Sequence, residues 1–173
     1  HVFSKDLFDL DLFKYYTGLS IAEGRDSWES EVIADEAGDA APSWQYLGRV
    51  EFLPFGAFKD YSEVDFKRLD QVRLSIGAAY ARTANAAKDR GYQGDGFTDA
   101  GTVTYDNVTA DAIMKWAGWT AFGEVYYRRG ERSEGALQAG AATDEDVYQA
   151  RSGVGGSVQL GTLLPGLPVG IGG

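Results

Sequence analysis

The sequence predicts an all-β fold of antiparallel strands, and three observations predict it. Six stretches alternate apolar and polar residues over about ten residues each. Aromatic residues make up 13% of the 173, and 23 Gly stand against 4 Pro, a mix that favours strands and tight turns over long helices. The connections tend to alternate, long then short. A tilted strand of about 9–11 residues is what crosses a hydrocarbon layer, and alternation at that length suits a wall with lipid on one side and water on the other. The expectation is an antiparallel transmembrane β-barrel. On this reading residues 1–173 form one partial barrel domain of about six strands.

Taken in order, residues 1–8 are ambiguous. Alternation begins at Asp9 and runs through Leu10 and Leu12. After a one-residue phase shift, which a bulge would explain, it continues through Phe13, Tyr15, Thr17, Leu19 and Ile21. Residues 23–42 lose the period and hold seven acids against one Arg, so they read as a solvated loop with a short helix near 26–33. The second strand is 43–53, stopped by Pro54-Phe55-Gly56. Residues 57–71 are mixed in charge and only partly alternating. The third strand is 72–82, followed by a Gly-, Asp- and Asn-rich loop over 83–101. The fourth is 103–116 and the fifth 119–129, joined by Ala117-Gly118, the clearest hairpin in the chain. A polar loop over 130–146 leads to the sixth, 147–164, and then to the turn Pro165-Gly166-Leu167-Pro168. Long loops on one side and short turns on the other are the habit of outer-membrane barrels, and 54–71 is long for a turn.

Charge excludes other classes. A net charge of −10 and a pI near 4.5 repel phosphates, so nucleic acid is not an expected partner. Cys is absent and the one His is His1, which removes thiolate zinc sites, Cys nucleophiles and Ser-His-Asp triads. No catalytic residue, metal ligand set or cofactor is expected, and the chain is not expected to be an enzyme. The loops 23–42, 54–71, 83–101 and 130–146 carry about −6, −1, −1 and −4, which leaves +2 for the strands and ends. These acidic loops either bridge divalent cations to anionic lipid headgroups or are simply solvated. Gly94-Asp95-Gly96 only faintly echoes a calcium loop, and Asn107-Val108-Thr109 is a glycosylation sequon placed on a strand.

Alternation sorts the strands into two faces. With Arg49 and Glu51 taken as water-facing, Gln45 and Leu47 join them, while Trp44, Tyr46, Val50 and Phe52 face away. Arg73, Ser75, Gly77 and Ala79 turn to water, and Val72, Leu74, Ile76 and Tyr80 away. Asn107, Thr109, Asp111 and Lys115 turn to water, and Val108, Ala112, Met114 and Trp116 away. Thr120, Glu124, Tyr126 and Arg128 turn to water with Phe122 an imperfect member; Arg151, Ser157 and Gln159 oppose Val154, Val158 and Leu160. The outward set is uncharged. Tyr15, Trp44, Phe52, Phe55, Tyr80, Trp116, Trp119 and Tyr127 fall mostly near the expected strand ends, where interfacial aromatics sit. The candidate pore-lining residues are Lys14, Arg49, Glu51, Arg73, Asp111, Lys115, Glu124, Arg128 and Arg151. Six cations against three carboxylates favour anions in a pore. The plainer alternative pairs each cation with a carboxylate of its own strand, Arg49 with Glu51 and Arg128 with Glu124.

Leu47-Gly48-Arg49-Val50-Glu51-Phe52-Leu53-Pro54-Phe55-Gly56 resembles the turn motif of the phosphate-selective (polyphosphate and pyrophosphate) porin family of Gram-negative outer membranes. The segments 115–128 and 156–165 resemble that family's tight hairpin, its strand with an inward Glu, and the strand after it. The resemblance covers roughly residues 10–173. It implies a sixteen-stranded barrel, usually a homotrimer, set in outer-membrane lipid and lipopolysaccharide and passing small anions such as phosphate by diffusion. Six strands cannot close such a barrel, and an open edge in lipid would leave backbone groups unpaired. An interior portion of a longer polypeptide is therefore expected. Two other classes stay open: a soluble β-sandwich that binds or cleaves carbohydrate, since an acidic β chain offers many carboxylate pairs, and a structural outer-membrane barrel serving as a docking platform.

Overall fold

The computed structural model describes residues 2–4, 12–21, 43–56, 61–62, 64–68, 70–86, 88, 90–91, 102–133, 150–164 and 170–172. They form one all-β, antiparallel, open sheet. Its six long strands are β2 (Phe13–Ile21), β3 (Trp44–Phe52), β4 (Arg73–Ala86), β5 (Thr102–Trp116), β6 (Trp119–Ser133) and β7 (Gly153–Leu163). Two three-residue strands that the sequence did not announce, β1 (Val2–Ser4) and β8 (Gly170–Gly172), lie on its edges. Each strand pairs with its neighbours in the chain, in the order β1 to β8. The suggested helix over 26–33, most of the calcium-like loop and most of the acidic loop residues lie outside the described residues.

The strand positions follow the alternation, but their lengths do not. β2 spans Phe13–Ile21, and the expected start over residues 9–11 lies outside the described residues. β4 and β6 run past the expected ends at Arg82 and Arg129 to Ala86 and Ser133, so part of each supposed loop is strand. β7 begins only at Gly153. The extra length of β4 survives an irregularity between Thr83 and Ala86, where Asn85 takes a φ of 56°. The β5–β6 hairpin turns on Ala117 (φ 52°) and Gly118 (φ 89°), the two left-handed positions of a turn whose twist matches its strands.

Register settles the faces. One rung runs Lys14, Glu51, Gly77, Asp111, Glu124, Ser157, and the next runs Tyr16, Arg49, Ala79, Thr109, Tyr126, Gly155. Every candidate residue within a strand lies on this polar side. On the other side, one rung reads Tyr15, Val50, Ala78, Ala110, Val125, Gly156, and the next Thr17, Gly48, Tyr80, Val108, Tyr127, Val154.

Burial is inverted relative to a sheet that covers its apolar side. The buried residues lie on or against the polar side. Leu53 and Ile113 pack there with Phe122, which accounts for that residue's apolar character among polar neighbours. Ala86, Val103 and Tyr105 pack with Ala150 nearer the long-loop end. The uncharged side stays open: Val50 is 58% exposed, Trp119 57%, Val158 77%. A folded chain in water rarely leaves so continuous an apolar surface bare. The band ends one rung beyond Tyr80, Val108 and Tyr127, where Arg82, Asp106 and Arg129 appear. Tyr80 and Tyr127 therefore sit within long strands and not at their ends, yet they border the band. At its other limit, Phe13 stacks on Phe52 with ring centres 5.0 Å apart, and Trp116 faces Trp119 across the hairpin.

Candidate functional site

Strand pairing sets charged side chains side by side on the polar face. Arg49 on β3 donates to both carboxylate oxygens of Asp111 on β5, at 2.6 and 2.9 Å. The contact spans the intervening strand, and Gly77 of β4 makes it possible. A Cβ on Gly77 would sit 2.8 Å from both the guanidinium carbon and an Asp111 oxygen. Bidentate pairs of this kind are the strong form of the ion pair.

Glu51 is the centre of a second group. It lies opposite Lys14 by register, with Lys14 Nζ 4.0 Å from its carboxylate. It accepts hydrogen bonds from Ser75 Oγ at 2.5 Å and from the Tyr61 hydroxyl. That hydroxyl in turn accepts from Lys14 Nζ at 2.6 Å, and the same ammonium lies 4.9 Å from the centre of the Tyr61 ring. Tyr61 is half-exposed, yet partial desolvation and then the bond to Glu51 raise its phenol above the usual pKa.

Tyr61 belongs to the connection between β3 and β4, the stretch with the least pattern in the sequence. Its described residues cross the polar face at the short-turn end. Ser62 Oγ and the Val64 carbonyl accept from Lys115 Nζ at 2.9 and 3.4 Å. Asp65, fully buried, accepts the Gly118 backbone N–H at 3.0 Å. Arg68 donates to the Leu164 carbonyl at 2.5 Å, and Arg73 to the Phe55 carbonyl at 2.6 Å. The connection thus touches β2, β3, β5, the β5–β6 turn and the end of β7. It is a strap over the sheet and not an over-long turn.

Nearer the long loops, the Arg128 guanidinium lies 3.5 Å from the centre of the Tyr105 ring and donates to the Arg90 carbonyl at 3.2 Å. The Tyr105 hydroxyl accepts the Arg151 backbone N–H at 3.2 Å, and Arg151 is an exposed residue just before β7. Glu124 accepts from Ser157 at 3.1 Å.

All nine candidate residues thus stand on or beside one face. Their partners differ from the same-strand pairs Arg49–Glu51 and Arg128–Glu124. Residues two apart on a strand are about 7 Å apart, whereas facing residues on neighbouring strands are about 5 Å apart, and the empty position at Gly77 shortens the diagonal route. Sequence reasoning missed Tyr61, Ser62 and Asp65. The only signal available was the length of their segment beside the two-residue turn at Ala117-Gly118. Among the described residues no three His, Cys, Asp or Glu side chains converge as metal ligands. No described helix is long and apolar enough to cross a membrane, which bears on helices alone. No protein-family model matches the chain, and neither the curated proteins nor the solved structures searched contain a match.

Proposed function

We propose that this chain is part of the wall of an outer-membrane β-barrel porin of a Gram-negative bacterium, a passive, water-filled path for small solutes that leans towards anions such as phosphate. The observation that carries the reading is the inverted burial: six consecutive long strands leave an uncharged band bare on one side while their other side is paired, hydrogen-bonded and partly covered. Hydrocarbon is the solvent in which that arrangement is favourable, because bare apolar side chains cost nothing there and every charge turns towards water.

Dimensions support it. Val108 to Trp116 on β5 covers roughly 26 Å at about 3.3 Å per residue. At a tilt of about 40° that stands roughly 20 Å tall, close to the ~25 Å apolar band of outer-membrane barrels. Tyr80 and Tyr127 at one limit, and Trp116 and Trp119 at the other, occupy the heights at which interfacial aromatics anchor such walls. The resemblance around Arg49 and Gly56 supports the porin family, and with it a homotrimer in lipid and lipopolysaccharide.

The role needs no reaction step. Arg49 with Asp111, and Lys14 with Glu51 and Tyr61, stiffen the wall and keep it hydrated. The six cations against three carboxylates bias the lumen towards anions.

Planar-bilayer recording of the purified protein tests the reading. Stable conductance steps are expected, with a reversal potential in a KCl gradient displaced towards that of chloride. A protein that is monodisperse without detergent would sink the membrane assignment. A lipid-inserted barrel without conductance would instead be a structural platform, and cation selectivity would overturn the anion preference.

A further inference from the structure

We propose that the β3–β4 connection masks Lys115, and that this masking sets how strongly the channel discriminates between ions; the inference rests on the channel reading above. Lys115 is 1% exposed although it projects from the polar side of β5. A lysine at that position in an uncovered wall would present its ammonium to water, because its long stem reaches past the backbone. Here the ammonium ends on Ser62 Oγ and the Val64 carbonyl.

The facing residue is held by the same connection, although it is only half-buried. Arg73 pairs with Lys115 in the β4–β5 register, and its guanidinium donates to the Phe55 carbonyl. Both cations of this rung are therefore engaged by oxygens of one connection. That connection is tied to the sheet at two further points: Asp65 accepts the Gly118 N–H, and Arg68 donates to the Leu164 carbonyl. These ties lie beyond Ser62 and Val64 along the connection, so they hold those two residues over Lys115.

Loosening the ties returns a positive charge to the aqueous side at the short-turn end. In a narrow lumen such a charge attracts anions and repels cations. Arg49 offers no equivalent control, because its partner Asp111 belongs to the sheet itself.

The test uses the whole barrel protein of which this chain is part, in planar bilayers under a KCl gradient. Asp65→Ala and, separately, Arg68→Ala should raise the chloride-to-potassium permeability ratio by roughly twofold or more. Adding Lys115→Met to either should abolish the rise. Conducting variants with an unchanged ratio, or a rise that survives Lys115→Met, overturn the masking. A native protein that conducts nothing overturns the channel reading instead. A second measurement does not depend on the ties. These 173 residues contain no Cys, so Lys115→Cys places a single thiol within them. That thiol should resist a charged, water-soluble thiol reagent in the folded protein and react once the protein is unfolded. Rapid labelling of the folded protein overturns the proposal.

Discussion

The Arg49 guanidinium reaches across β4 to hold both oxygens of Asp111, and it does so over a backbone position, Gly77, that carries no side chain. Three strands are thus linked by one side-chain pair that neither charge pattern nor spacing announces.

Gly77→Ala places a methyl group in contact with both members of that pair. The expected loss of stability is about 1–3 kcal/mol, the usual cost of forcing atoms into filled space. In the Arg49→Ala background the same substitution should cost much less. Chemical unfolding of the two single variants and the double variant checks this, and additive losses would refute the shared-space account.

Neighbouring residues on β7 offer a test of the two faces. Val158 and Gln159 are both exposed, and they point to opposite sides. On the lipid-facing reading, Val158→Arg costs about 2–4 kcal/mol towards the middle of the bilayer. Gln159→Arg, facing water, should stay within about 0.5 kcal/mol. Urea titration of protein folded into lipid vesicles reads both. Equal, small effects would mean that water bathes both sides.

Ala117 occupies the left-handed region at φ 52° without the side chain that tolerates it best. Asn is favoured at that turn position, so Ala117→Asn should stabilise the chain by about 0.5–1 kcal/mol. Gly118→Val, at φ 89°, should destabilise it. A shift of the unfolding midpoint in the opposite sense for either variant would contradict the turn geometry.

Alkaline titration bears on Tyr61. Its phenol is raised by burial and by donation to Glu51. A raised folded-state pKa means that the stabilisation is complete below the unfolded phenol value of about 10 and is lost only as the pH climbs through the folded value. The bond should therefore be indifferent to pH across the neutral range. In ultraviolet difference spectra, native protein and Tyr61→Phe should give the same phenolate signal near pH 10–11. The unfolded proteins should differ by one of ten tyrosines. A native signal that falls in the variant at pH 10 would place Tyr61 in open water.

Much of the sheet was legible beforehand because side-chain direction in a strand repeats every two residues, a property of the local chain. Alternation alone put Arg49, Asp111 and Glu124 on one side and Val50, Val108 and Val158 on the other, and the pairing register agrees. The turn at Ala117-Gly118 was readable for the same local reason. What alternation cannot carry is register, because that is a relation between residues far apart in sequence. The Arg49–Asp111 pair, the placement of Tyr80 and Tyr127 within long strands, and the extension of β4 and β6 all depend on it. The path of the β3–β4 connection is more remote still from sequence pattern. Asp65 finds the Gly118 N–H, and Ser62 finds Lys115, only after β5 and β6 have formed the surface across which that connection folds.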